Sequence, residues 1–399
     1  MSAKSGLERN FPLMFWIQAL TEVKVINVIS ALFLLSRGLS LSQIVLSGVV
    51  YSLVTIMFEV PSSYLADKWG RKNLLILSVL TSLVYWTLNV FARGWWLILA
   101  VGVYSLANAL MSGTDEALIY DTSKELNLES DSLDKLGIYF SGQRIFKIIM
   151  PIVAVLVAKN LSDNQYIFLL LIDIVANIGA LVLCLRLVEP RHFMEVETVE
   201  AGAIKDALKM FKNSPRLLGL VLNKSLMFIA VYMVWRVSSE YFTSMGVSVL
   251  MIGLMTAVMQ LIIFITNQKV GKVFLNVSEE KKIDWLNWVV FGCMLVFFAN
   301  NFWGKYIWIS LISYVVFNAA QVTEWPLFSQ LFNKVSSSYN RATTLSLANF
   351  TKSFLDIPLL LFGSFLVGMD YGYLFGLCLL IQMVVVLFFR ASRDSGRQG

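Results

Sequence analysis

Long apolar runs separated by short polar segments extend from residue 11 to residue 390. Each run is close to the roughly 20 apolar residues that a helix needs to cross a bilayer. The pattern predicts twelve spans, at 11–35, 42–65, 73–92, 95–118, 136–158, 165–187, 217–243, 248–267, 284–300, 304–326, 342–366 and 369–390. An all-α membrane protein follows. The first run is too long and too polar inside to be a cleaved signal peptide. The polar stretch 189–215 reads as a linker between two six-helix bundles, 1–188 and 216–399. Within it Ala203-Ile204, Ala207-Leu208 and Phe211 recur at helical spacing, which predicts a partly helical, amphipathic segment.

The two halves repeat one another at a single ungapped offset of 208 residues. Gly38-Leu39-Ser40-Leu41 falls on Gly246-Val247-Ser248-Val249, Trp95 on Trp303, Glu116 on Glu324, Arg144 on Lys352 and Phe146 on Phe354. A parallel repeat of six-helix halves is an architecture in which transported molecules bind near the repeat interface.

Composition supports this reading. The chain is 57% hydrophobic and 15% charged, where globular proteins run near a quarter charged. Its net charge of +6 is explained by topology. Of the 32 Lys and Arg, 22 fall in the N-terminal segment, alternate loops, linker and C-terminal tail on one side, four in loops on the other side (Arg37, Arg93, Lys159, Lys305), and six within spans. Basic residues accumulate on the cytoplasmic side of short loops, so both termini are expected inside, with the excess against anionic lipid rather than nucleic acid. The three cysteines lie in apolar runs and the sole histidine, His192, lies in the linker. That pattern supports neither a disulfide framework nor a metal site. There is no phosphate-binding G-x-x-x-x-G-K-[ST] loop and no Ser/His/Asp arrangement, so neither an ATP-driven pump nor an enzyme is expected.

Ionisable residues inside the spans are the candidate functional groups, because each costs about 2.5–3.5 kcal/mol at a helix centre and therefore faces partners or water. Glu116 and Arg144 fall at similar depth on consecutive spans and are candidates to pair, with Glu324 and Lys352 as the repeat-related twin. Lys352 has competing partners in Asp356, one turn on, and Glu59. Lys147 shares a face with Arg144 and has Asp115 as a candidate anion. These pairs either fix helix contacts or rearrange during function. Glu22 lies near mid-membrane on the first span, with Gln18 one turn before it and Lys24 on a nearly opposite face. A carboxylate there is a candidate to exchange a proton; a structural pair with Lys24 or Lys224 is the alternative. On the seventh span Arg236 and Glu240 are one turn apart, either a local ion pair or a substrate contact. Asp173 has no evident partner. Trp95, Trp96, Trp303 and Trp308 fit interfacial anchors.

The most specific motif is Ser63-Tyr64-Leu65-Ala66-Asp67-Lys68-Trp69-Gly70-Arg71-Lys72, expected as a short polar turn between two spans. It resembles the loop between the second and third helices of the major facilitator superfamily, G-x-L-A-D-R-x-G-R-K, at seven of eight specified positions when Lys is accepted for Arg. Glu59-Val60-Pro61-Ser62, the stretch from Ser112 to Asp121, and Arg341-Ala342-Thr343-Thr344-Leu345-Ser346 resemble segments of bacterial efflux-like facilitators. The resemblance implies a major facilitator fold, with two six-helix bundles around a central cavity. It also implies a cytoplasmic latch in which Asp67 contacts the start of the eleventh helix near residues 340–343, and Arg71, flanked by Gly70 and Lys72, meets Asp121. The motif has no second copy: Leu275 stands at the position repeating Asp67. The family's proton antiporters carry a Gly-Pro-rich fifth helix; here it reads Phe146-Lys147-Ile148-Ile149-Met150-Pro151-Ile152-Val153, without the glycines. The implied function is alternating-access transport of a small organic molecule across a bacterial-type plasma membrane. Proton-coupled efflux of amphipathic or cationic compounds leads. An importer or uniporter of sugars or metabolites, a lipid flippase, and a non-transporting scaffold or sensor are the alternatives. The expected partners are a small-molecule substrate, protons and membrane lipids, with no nucleic acid; a monomer is expected, with no cofactor and the proton gradient as driving force.

Overall fold

A computed structural model of the chain describes residues 3–128, 131–190, 215–269, 277–303, 306–335 and 341–392. Among the described residues, eleven helices are long and apolar enough to cross a membrane. The helix Ile307–Val335, tenth in the expected order, is 29 residues long and carries Asn318, Gln321 and Glu324 along its length. In chain order the second span is Leu41–Trp69, the third Arg71–Phe91, the fifth Ser132–Val157 and the sixth Asp163–Leu185. The seventh is Pro215–Ser244, the eighth Val249–Lys269, the ninth Glu279–Trp303, the eleventh Arg341–Val367 and the twelfth Tyr371–Phe388.

Two spans and one turn differ from their expected form. The first is not one helix: Asn10–Thr21 ends at Glu22, a 3₁₀ turn follows over Val25–Ile29, and Ser30–Ser36 completes the run. The fourth breaks at Gly113, whose φ of 75° lets the chain turn between Trp95–Met111 and Thr114–Glu125. The polar turn expected at 63–72 is reduced to Gly70, because helix continues through Trp69 and restarts at Arg71. Gly70 holds φ at 91°, a conformation that glycine adopts without the Cβ clash other residues meet.

Two compact units form, one from residues 1–39 and 50–198, the other from residues 40–49 and 199–399. The first residues of the second span therefore group with the second unit. Of the expected linker, residues 191–214 lie outside the described residues.

In the first unit, Met14 and Ile17 of the first span bury against Leu75 and Val79 of the third, Leu118 and Ile119 of the fourth, and Ala180 and Cys184 of the sixth. Gly142 of the fifth span permits an unusually close approach to the first. A methyl group there would sit 2.6 Å from the carbonyl oxygen of Phe15. The second unit is built on aromatic rings: Tyr241, Phe242, Phe297 and Phe375 meet with centroids 4.9–6.3 Å apart, largely edge to face, the arrangement that ring quadrupoles favour. Trp95, Trp96, Trp303 and Trp308 are all exposed.

Gly142→Ala is expected to destabilise the protein by about 1–3 kcal/mol, since the obstructing atom is backbone and cannot rotate away. Thermal unfolding of the detergent-solubilised full chain checks this; an unchanged Tm would mean that the first and fifth spans can separate at no cost.

Candidate functional site

The site begins with the break in the first span. Val23, Val25, Ile26, Val28 and Ile29 form a β-branched run, which loses side-chain freedom in a helix. Just before it, the Thr21 hydroxyl donates to the carbonyls of Ile17 (2.9 Å) and Gln18 (3.2 Å), a back-bond that bends helices. Backbone N–H groups freed by a break must find acceptors inside the protein, since the hydrocarbon offers none. Asp173 of the sixth span provides them. Its carboxylate accepts from Val25 N at 2.8 Å and from Ile26 N at 3.5 Å. Asp173 is fully buried, and its own carbonyl accepts from the Asn177 side chain, which in turn accepts from Ser82.

The break changes what Glu22 can reach. Lys24, expected on an opposite face of a continuous helix, instead sits beyond the helix end and places Nζ 2.6 Å from Glu22 Oε1. Lys147 of the fifth span approaches the other oxygen, 3.1 Å from Oε2, and also donates to Gln143 Oε1 at 2.7 Å. One carboxylate is therefore shared by two ammonium groups. Their side chains are 18% (Glu22), 19% (Lys24) and 39% (Lys147) exposed, so the cluster is partly open. Lys24 also lies 5.7 Å from the ring centroid of Tyr104. That ring belongs to an aromatic group with Tyr85 (4.6 Å), Tyr51 and Trp86 (both 6.3 Å).

Lys147 does not pair with Asp115. The Asp115 carboxylate accepts from the Tyr139 hydroxyl at 2.5 Å and from Glu116 N at 2.9 Å, and the Gln18 side-chain amide lies 2.8 Å from the same hydroxyl oxygen. Glu116, Arg144 and Glu59 lie in this first unit and each has contacts of its own.

In the second unit the expected Glu324–Lys352 pair is not formed. Lys352 takes Asp356, one turn on, at 2.8 Å, and sits 4.4 Å from the Phe228 ring centroid. A same-helix neighbour is held in reach by the helix itself, and here that constraint prevails. Glu324 is 2% exposed, and its Oε1 has no hydrogen-bond partner among the described residues. Lys224 stands 4.5 Å from the Trp325 ring centroid. The expected Arg236–Glu240 ion pair is likewise replaced. Arg236 Nη2 donates to the Ile44 carbonyl at 2.5 Å and to the Ser47 hydroxyl, both in the 40–49 segment of the same unit. Phe228, Tyr232 and Trp235 stack along the seventh span at 5.7 and 5.9 Å.

At the motif, Arg71 Nη1 lies 2.5 Å from Asp121 Oδ2. Glu189 accepts from the backbone N–H groups of Arg71 (2.8 Å) and Lys72 (2.7 Å), capping the third span where its dipole favours negative charge. A side chain at position 70 would press on that same carboxylate, at 3.0 Å. The side chain of Asp67, those at the start of the eleventh span and the segment containing Leu275 lie outside the described residues. Sequence reasoning marked Asp173 without its partners and missed Glu189 and the Lys147–Glu22 contact; the signals for the last two were an acid at a span end and a lysine at the depth of Glu22.

The sequence profile described as Major Facilitator Superfamily matches residues 13–357. Over 93 residues the chain is 32% identical to an uncharacterized MFS-type transporter, YxaM, of Bacillus subtilis (strain 168), a match spanning 23% of each protein. The fold is similar to that of the nucleoside transporter NupG, with a TM-score of 0.81 at 12% identity over 97% of this chain and 100% of that one. It is also similar to a bacterial homolog of the lysosomal transporter Spinster, at TM-score 0.72 and 16% identity over 98% and 96%. A D-xylose-proton symporter gives TM-score 0.68 and 15% identity over 97% and 96%.

Glu22→Gln and Lys147→Gln are expected to be non-additive in stability, with a coupling of about 0.5–3 kcal/mol, as for residues in direct contact. Thermal unfolding of the two single variants and the double variant measures it, and strict additivity would dissolve the pair.

Proposed function

The chain belongs to the major facilitator superfamily, and from that premise we propose that it is a proton-coupled secondary transporter. It moves a small organic molecule across the plasma membrane by alternating access, and Glu22 exchanges the proton. The supporting observation is a single carboxylate held by two lysines at a broken, partly open point of the first span. A proton on Glu22 cancels its hold on Lys24 and Lys147 together, so protonation changes both the charge of the site and the freedom of two cations. Ionisable groups nearby include Tyr104 on the fourth span, Tyr139 on the fifth, Asp115 and Glu116 near Tyr139, and Asp173 on the sixth. Asp115 and Asp173 have hydroxyl and backbone donors instead of lysines, whereas titration of Glu22 releases two lysines.

Direction follows from the sign of the coupling. Export, the direction expected from the sequence, requires that proton and substrate exclude each other at Glu22 under an inward proton gradient. Uptake requires that they bind together. The second reading is favoured for any substrate that takes up the released lysines. A solved structure with the same fold is that of a D-xylose-proton symporter, a protein in which substrate and proton travel together.

Reconstituted into proteoliposomes with a pH-sensitive dye in the lumen, the protein is expected to move protons when a substrate from a mixed panel of organic acids, amines and sugars is added. The sign of the lumenal change gives the direction of coupling. Glu22→Gln is expected to abolish gradient-driven accumulation while sparing substrate exchange. Full accumulation in that variant would remove Glu22 from the coupling step.

A further inference from the structure

We infer that the site at the break of the first span binds the anionic head of a small aromatic substrate, a carboxylate or phosphate, with Lys147 and Lys24 as its ligands. The inference rests on the transport reading above and names the substrate class for the same site. It reverses the expectation of a cationic compound. That expectation assumed that the acids of this region are available to a substrate, and around the break they are engaged: Glu22 is occupied on both oxygens by lysines, Asp115 by Tyr139 and a backbone N–H, and Asp173 by two backbone N–H groups.

What remains is cationic. An ammonium group has three donors. Lys147 spends one on Glu22 and one on Gln143, which leaves one on a side chain that is 39% exposed. Lys24 and Lys147 share the one carboxylate that both contact, Glu22. The aromatic group beside Lys24 sets the rest of the molecule. Tyr104 lies beside the ammonium and packs with Tyr85 and Tyr51, and a flat ring whose acid reaches the lysines is the shape that such an aromatic group favours.

The second unit also sets lysines beside rings: Lys352 pairs with Asp356 at 2.8 Å and lies 4.4 Å from the Phe228 ring centroid, and Lys224 lies 4.5 Å from that of Trp325. In the first unit the two-lysine arrangement fixes the sign of coupling: a proton on Glu22 frees two lysines for the substrate anion, so proton and anion bind together.

The test is calorimetric titration of the detergent-solubilised full chain with four probes of one shape: naphthoate, naphthyl phosphate, naphthamide and naphthylmethylamine. Binding of naphthoate or naphthyl phosphate, with no heat from the amide or amine, is expected, and the tighter of the two names the head group. Lys147→Gln is expected to weaken the acid by about tenfold, the scale of one charge-assisted hydrogen bond. Lys147→Arg is expected to retain it. Glu22→Gln, which removes the internal competitor, is expected to tighten binding by a similar factor. Opposite signs in the Glu22 and Lys147 variants separate ligand contact from general loosening of the fold, which would weaken both. Equal binding of amide and acid, preference for the amine, or weakening in both variants would overturn the inference. None of these readouts needs a gradient: probe binding without proton flux overturns the coupling proposal alone, and flux without selective anion binding overturns the substrate class alone.

Discussion

A helix that breaks inside a membrane must satisfy the backbone groups it exposes, and in this chain the Asp173 carboxylate does so for Val25 and Ile26. The rest of the candidate site depends on that cap. A continuous first helix would carry Glu22 and Lys24 on faces about 200° apart, two residues at 100° each. With the helix ended at Thr21 and a 3₁₀ turn begun at Val25, Lys24 is released from that geometry and closes on Glu22. Asp173 looks like a spare intramembrane charge when only the sequence is read. It is instead the group that makes the break affordable and thereby assembles the cluster.

Close helix approach completes the arrangement. The missing Cβ at Gly142 lets the fifth span lie against the Phe15 carbonyl, and one and a half turns later Lys147 arrives at the second oxygen of Glu22. The same logic of local reach governs the second unit, where Lys352 takes Asp356 on its own helix and Glu324 is left buried with one oxygen unpartnered among the described residues. Arg236 ignores Glu240 because carbonyl and hydroxyl acceptors at the start of the second span are available to it. In each case the partner chosen is the acceptor that backbone geometry has already positioned, whatever the ranking by charge alone.

The charged motif is simpler than its sequence suggests. Helix runs through nearly all of it, and one glycine with a positive φ makes the turn. Glu189 then binds the freed N–H groups at the start of the third span, and Arg71 meets Asp121. The end of the first unit's chain is thus tied to its middle, and Asn10 adds a second tie through the Thr122 side chain and the backbone of Val188.

The sequence by itself determined the class, most span positions and the family, because hydrophobic length and the order of motif residues are properties of the chain alone. It also marked Glu22, Lys24, Lys147, Asp173 and Lys352 as residues that needed partners, since charge inside an apolar run is legible without coordinates. Who pairs with whom was decided only by tertiary structure. Pairing turns on where a helix breaks, how closely two helices approach and which backbone donors need an acceptor. Those quantities depend on atoms far apart in sequence: Val25 and Asp173 are separated by 148 positions, and no periodicity carries information across that distance.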